Sequence, residues 1–421
     1  MADSFSKSLT GHFRLRSQNS GGPGVMVVQK SWVARSFNVL IVIVLLIFLI
    51  FSIGYQYFQI YPKFIHVINQ RFGISNIICS ARSAKGCNVF NGSWVLDETY
   101  PLYNSLECPF TERAFNCLAN GRKDKDHQKW RWKPQHCDLP RFNVQGVLES
   151  LRGKRVVFVG DSMSRTQWES LICILMTGVE DKKSVYEING NKITKQIRFL
   201  GTRFSSFNFT IEFFRSVFLV VQGAPPKNSP KKVRSTLELD VLDDINASWI
   251  DSDILIFNTG QWWTPVKLFN TGCYFQVNGS LNLGMPIPTA FRIALKTWAS
   301  WVETNVNTNR THVFFRTFEP SHYGSLDEKI CNVAQMPMSS TNGSEQSVFS
   351  DIISDVVAKM KVPVNILHVT YMAAFRNDAH VGKWSDTPSP DCSHWCLPGV
   401  PDVWNQLLFS YLLPRSKSCP T

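Results

Sequence analysis

The sequence predicts an α/β fold built on a mostly parallel sheet, and three observations predict it. Arg155-Val-Val-Phe-Val159 is a short, apolar, β-branched run of the kind that is buried on both faces of a sheet. Trp168, Leu171, Ile172 and Leu175 recur at helical spacing directly after Gly160-Asp161-Ser162, so strand, tight turn and helix follow without a break. Further buried-strand runs at Ile254–Phe257, His312–Phe315 and Val364–Val369 are interleaved with helical patterns at Pro288–Glu303, Val348–Met360 and Val403–Leu413.

The elements differ in how firmly the residues define them. Val403–Leu413 carries Trp404, Leu407, Leu408, Tyr411 and Leu412 on one face, with Asp402 as its expected cap. Thr210–Val221 is apolar and β-rich and is readable as a strand pair or as one long strand. Pro225–Lys232 is a loop by composition. At 421 residues, with 44% apolar and 18% charged residues, the chain can bury a large core, and its composition excludes a disordered protein.

The amino-terminal part has a different character. Residues 1–36 are polar and basic, as expected of a disordered cytosolic tail. Phe37–Tyr55 contains no charge, and nineteen residues at about 1.5 Å each come to roughly 28 Å, one hydrocarbon core. A cleaved signal peptide fits less well, because the run is long, starts late and lacks a small-x-small cleavage site. Lys7, Arg14, Arg16, Lys30 and Arg35 precede it, which predicts a single-pass signal anchor with the remainder of the chain lumenal. Six sequons, at Asn91, Asn208, Asn246, Asn278, Asn309 and Asn342, and all eleven cysteines follow the span, in keeping with an oxidising lumen. Residues 56–86 read as a stem. Residues 87–138, with Cys87, Cys108, Cys117 and Cys137 among many aromatics, read as a small disulfide-stapled subdomain. The α/β domain occupies 139–421.

The chemistry-bearing residues gather where the predicted strands end. Ser162 follows the first strong strand and opens a helix, whose amino terminus favours developing negative charge. A serine hydroxyl needs a base within reach, and the base needs a group that fixes its tautomer. Asp391-Cys-Ser-His394, in a turn before the last helix, can supply both. Asn258 directly follows a buried strand and can offer its amide to an oxyanion, and Gly201 is a candidate backbone donor beside the Ser162 N–H. Zinc on Cys392, His394 and Cys396 is disfavoured by the oxidising compartment, so no metal is expected. His322 is the other histidine to consider as a base; a loop residue bonded to backbone is the plainer role.

Gly160-Asp-Ser162, Asn258 and Asp391-x-x-His394, in this order, resemble the SGNH/GDSL esterase superfamily. The flanks narrow the resemblance: Cys87-Asn-Val-Phe-Asn-Gly-Ser-Trp-Val, Tyr100-Pro-Leu-Tyr103, Trp130-Arg-Trp-Lys-Pro134, Cys137-Asp-Leu-Pro-Arg-Phe142, Gly160-Asp-Ser-Met-Ser-Arg165 and Asp391-Cys-Ser-His-Trp-Cys-Leu-Pro-Gly399 are similar to the plant trichome-birefringence-like family, from about residue 85 to 413. The resemblance implies an SGNH-like α/β/α sandwich in a Golgi type II membrane protein that O-acetylates cell-wall polysaccharides. It implies Ser162 as nucleophile, His394 as base and Asp391 as its orienter. It also implies the disulfides Cys87–Cys137, Cys108–Cys173, Cys117–Cys396 and Cys331–Cys392, leaving Cys79, Cys273 and Cys419 over. Many members carry Gly-His-Trp-Trp where this chain has Gly260-Gln261-Trp262-Trp263, so acceptor specificity is not transferable.

Acceptor contacts are expected from Trp262, Trp263 and Trp395, which fall in site loops, and from Arg165; Arg316 is a further candidate. The expected reaction takes an acetyl donor, for which acetyl-CoA is one candidate although no nucleotide-binding fingerprint is visible, and a wall-polysaccharide acceptor; no bound cofactor and no nucleic acid are expected. Of the net charge of +12, residues 1–36 carry +4 and the remainder +8, and this basic lumenal part tilts the acceptor toward an acidic, pectic chain.

Overall fold

The computed structural model describes residues 87–324 and 330–413. The expected tail, membrane span and stem, together with Cys79 and Cys419, lie outside the described residues. Among the described residues no helix is long and apolar enough to cross a membrane. The chain opens with a hairpin of β1 (Gly92–Leu96) and β2 (Trp130–Pro134), followed by α1 (Val144–Ser150), β3 (Arg155–Gly160) and α2 (Ser162–Met176). Next come β4 (Val185–Glu187), β5 (Phe199–Phe204), β6 (Phe209–Arg215), β7 (Val220–Gly223), β8 (Ser235–Leu242), β9 (Ile254–Phe257), β10 (Cys273–Val277) and β11 (Ser280–Asn282). The last third contains α3 (Ile287–Asn305), β12 (His312–Arg316), α4 (Val348–Ala358), β13 (Asn365–Leu367), α5 (Thr370–Ala374), β14 (His380–Gly382), β15 (Asp391–Trp395) and α6 (Val400–Leu412).

The main sheet has the order β13-β12-β9-β3-β6-β5-β4. β13, β12, β9, β3 and β6 run parallel, while β5 and β4 add an antiparallel edge. β3 is central because its residues are apolar on both faces: Val156 and Phe158 enter one core, and Val157 and Val159 the other. The first core is closed by α1, α2 and α6, the second by α3 and α4, which gives helix, sheet and helix layers.

The structure corrects the sequence reading in three places. Thr210–Val221 is neither a pair nor one strand: β6 belongs to the main sheet, whereas β7 joins a second sheet of order β11-β10-β8-β7. The segment Asp391–Trp395 is a short strand paired antiparallel with β14, not a turn. The last helix begins at Val400, so Asp402 sits inside its first turn, where its carboxylate accepts from the Gly399 N–H at 2.9 Å.

The cysteine-rich stretch is merged into the first core rather than set beside it. Val89, Tyr103, Phe110 and Trp132 pack with residues of α2 and α6. The structure contains the disulfides Cys87–Cys137, Cys108–Cys173, Cys117–Cys396 and Cys331–Cys392, the pairing that the resemblance implies. Cys273 is a buried free thiol. Polar clasps reach the segment ahead of β15: Arg376 donates to the His127 carbonyl at 2.7 Å, Arg122 to the Asp378 carbonyl at 2.8 Å, and Trp94 Nε1 to the Met372 carbonyl at 2.8 Å.

Candidate active site

The site lies at the carboxyl end of β3, where Gly160 passes to Asp161 and Ser162. Asp161 caps α2 by accepting from the Met163 N–H at 2.9 Å and takes a second hydrogen bond, also 2.9 Å, from Asn258 Nδ2. Asn258 Oδ1 accepts from Ser164 Oγ at 2.6 Å. Asn258 is itself fixed because it directly follows β9, the neighbour of β3, and its N–H reaches the Val159 carbonyl at 3.0 Å. Gly160 is required by this closeness. A Cβ there would lie 2.0 Å from Asn258 Oδ1 and 2.6 Å from the Asn258 carbonyl oxygen. Gly160→Ala is therefore expected to destabilise the fold by roughly 1–3 kcal/mol or more and to disturb the Ser162 turn, measurable as a lowered urea midpoint with an unchanged slope.

Ser162 occupies the first helical position of α2, so its N–H has no intrahelical acceptor. Its Oγ is 2.6 Å from His394 Nε2, and His394 Nδ1 is 2.7 Å from Asp391 Oδ2. Asp391 can only accept from the imidazole, which places the proton on Nδ1 and leaves Nε2 to receive the Ser162 hydroxyl proton. The other Asp391 oxygen accepts from the Ser393 N–H at 2.8 Å, the Ser393 hydroxyl at 2.7 Å and the His394 N–H at 3.1 Å. Burial pushes the Asp391 carboxyl up, but hydrogen bonds and charge attraction from His394, with Ser393, outweigh it and hold the group well below the usual carboxylate range.

The surroundings fix the imidazole. Cys392 and Cys396, on either side of His394, are tied to Cys331 and Cys117, so neither thiol is free to bind a metal. The Phe115 ring, from the cysteine-rich stretch, lies 5.5 Å from the His394 ring. The Leu397 N–H donates to the Phe115 carbonyl at 2.9 Å. His380 is fully buried, stacks on Trp395 at 4.0 Å and lies 3.0 Å through Nδ1 from the His394 carbonyl. His322 contacts His380 at 2.6 Å and the Ala374 carbonyl at 2.9 Å, so it belongs to the support of this strand and not to Ser162.

Several residues expected at the site are elsewhere. Gly201 sits within β5, opposite Glu212, and its N–H donates to Glu187 at 3.1 Å; it is not an oxyanion donor. Trp263 and Trp395 are buried core residues with 1% and 0% exposure, out of reach of a sugar. Arg165 is 2% exposed and ion-paired to Glu112 and to Glu169, joining α2 to the cysteine-rich stretch. Arg316 is fully buried against Glu319 and the Trp404 ring. Trp262 alone of the three tryptophans is partly exposed. Gln261 donates to the Glu319 carbonyl at 2.7 Å. Phe115, Arg215 and His380 were not singled out by the sequence. Phe115 and His380 carry no sequence signal, because their importance comes from contacts made across long separations.

Three buried carboxyls give the domain a pH dependence. Burial pushes Glu169 up to about 8, against the pull of Arg165, and pushes Glu319 and Asp402 up to about 7. Each binds its proton more tightly folded than unfolded, so its stabilising contribution is full below the ordinary carboxylate range and is lost as pH rises through about 7 to 8. Asp391 acts in the opposite sense, but only at acid pH. Thermal unfolding scans from about pH 5 to about pH 8 are expected to give a falling midpoint, and Asp402→Asn to flatten the slope.

The chain is similar to known proteins over most of its length. Residues 139–411 match the GDSL/SGNH-like acyl-esterase family found in Pmr5 and Cas1p, and residues 85–138 match the PMR5 amino-terminal domain. The chain is 57% identical over 399 residues to "Protein trichome berefringence-like 7" of Arabidopsis thaliana, covering 94% of this chain and 89% of that protein. It is 42% identical over 339 residues to trichome birefringence-like 6 of the same plant, covering 78% and 71%, and 40% identical over 362 residues to trichome birefringence-like 9, covering 82% and 87%. With Ser162, His394 and Asp391 hydrogen-bonded in series, the chain belongs to the GDSL/SGNH-like acyl-esterase family and, within it, to the trichome birefringence-like proteins.

Proposed function

We propose that the protein is an O-acetyltransferase that moves acetyl groups onto hydroxyls of cell-wall polysaccharides through an acetyl-serine intermediate. The observation that carries this reading is the hydrogen-bonded series Ser162, His394, Asp391 at the amino terminus of α2. His394 Nε2 takes the hydroxyl proton of Ser162 as Oγ attacks the acetyl carbonyl of the donor. The tetrahedral oxyanion is held by the Ser162 N–H and by the amide hydrogen of Asn258 not given to Asp161, each such donor being worth roughly 3–4 kcal/mol of barrier. The donor's leaving group departs with the proton from His394. A sugar hydroxyl then yields its proton to His394, its oxygen attacks the acetyl carbon, and Ser162 leaves and recovers its proton. The Phe115 ring beside His394 supports water exclusion, which separates transfer from hydrolysis.

The acetyl donor is acetyl-CoA or another activated ester. The charge-free run Phe37–Tyr55, the basic residues ahead of it and the disulfides behind it support a Golgi membrane protein with a lumenal catalytic domain. The test is incubation of the full-length protein with a soluble acetyl donor and deacetylated wall oligosaccharides. Acetylated oligosaccharide and an acetyl adduct on the Ser162 peptide are expected; free acetate alone would identify a hydrolase, and transfer without the adduct would exclude the covalent route.

A further inference from the structure

Arg215 ends β6 directly opposite Gly160, two residues before Ser162, and the neighbouring Ser216 N–H donates to the Gly160 carbonyl at 2.9 Å. Adjacent strands lie about 4.8 Å apart, so Arg215 stands at the rim of the site. Its guanidinium is half-buried, yet among the described residues it has neither an ion-pair partner nor a hydrogen-bond acceptor. The nearby cations are different: Arg165 is paired with Glu112 and Glu169, and Arg198 with Asp243 and Asp244. Arg215 instead lies 5.3 Å from the Trp262 ring, and Lys267 Nζ lies 4.6 Å from the same ring. Trp262 is partly exposed and Lys267 is exposed.

The segment after Arg215 is conformationally strained at one residue. Leu219 is buried with φ of 63°, a left-handed conformation that bulky residues rarely adopt. Next to it, Phe218 packs edge-on against both Trp262 and Trp263. Burial, and then the charge of Arg165, lower the Arg215 pKa against the pull of Asp161, so the charged guanidinium is less favoured there than in water and gains from an anion seated on it. Asp161, whose charge acts in the opposite sense on Arg215, is fully buried; its Oδ1 accepts from Asn258 and Met163, and its Oδ2 has no hydrogen-bond partner among the described residues.

We propose that Arg215, Trp262 and Lys267 form an acceptor subsite for a uronate unit, the carboxylate seated on Arg215 with Lys267 beside it and the pyranose ring against the open surface of Trp262. The subsite rests on the acetyltransferase reading and adds the acceptor's chemical class. It also gives Trp262 a role that its buried neighbour Trp263 cannot have.

The experiment separates the two claims. Binding of oligogalacturonide, of its methyl-esterified form and of a neutral xylo-oligosaccharide is measured by calorimetry on the Ser162→Ala protein, which needs no turnover. The free acid is expected to bind about tenfold to a hundredfold more tightly than the methyl ester. Arg215→Gln should remove that preference, Lys267→Ala should reduce it, and added salt should weaken the acid alone. On the native enzyme, the Ser162 acylation burst is followed separately with a neutral acetyl ester. Equal binding of acid and ester, or an equal loss on all three sugars in Arg215→Gln, overturns the subsite. So does an effect confined to an anionic donor, which would assign Arg215 to donor phosphates. Failure of the Ser162 burst in the native enzyme would overturn the acetyltransferase reading while leaving the binding result standing.

Discussion

Replacing Ser162 by alanine is expected to abolish acetyl transfer, with a loss in kcat on the order of a millionfold, while the protein stays folded. The loss is this large because, in the proposed mechanism, the hydroxyl forms the covalent bond, and no neighbouring group can take its place. Ser164 is spent on Asn258, and the Thr166 hydroxyl donates to the Ser162 carbonyl at 2.8 Å. Asp391→Asn is expected to lose less, on the order of ten-thousandfold, because the imidazole then adopts the wrong tautomer while Ser162 and His394 remain. Both variants should retain the wild-type thermal midpoint at neutral pH within a few degrees. The measurement is acetyl incorporation into oligosaccharide together with mass analysis of the Ser162 peptide. Sustained transfer by the alanine variant would show that the chemistry is located elsewhere.

Removing the Cys117–Cys396 disulfide, as the double serine variant, is expected to give the second largest effect. The two cysteines are 279 residues apart, and a cross-link closing so long a loop is worth roughly 5–6 kcal/mol before the other disulfides shorten the effective loop. Activity should fall further than stability. Cys396 is two residues from His394, and Cys117 is two residues from Phe115, whose ring faces that imidazole. Loss of the bond frees both walls of the base, and a displacement of about 1 Å costs on the order of a hundredfold in rate. Urea unfolding gives the stability change, and the rate of Ser162 acylation below the unfolding transition gives the catalytic one. A variant with normal acylation and only a lowered midpoint would limit the disulfide to a structural role.

The sequence by itself determined the parts governed by local pattern. The apolar run at Arg155–Val159 and the helical spacing after Ser162 define β3 and α2, since periodicity and burial are properties of neighbouring residues. Ser162, Asp391 and His394 were legible because each residue type in its spacing suits one chemical task, and the structure brings all three together. Only the tertiary structure decided what depends on distant chain segments meeting. It placed Gly201 inside an antiparallel strand paired on both sides, buried Trp263 and Trp395, committed Arg165 to Glu112 and Glu169, and left Arg215 without an ion-pair partner among the described residues beside Trp262. A tryptophan or an arginine has the same local signature whether it packs a core or faces a substrate. What separates the two roles is the solvent and the partner charge around it, and these are set by residues up to hundreds of positions away.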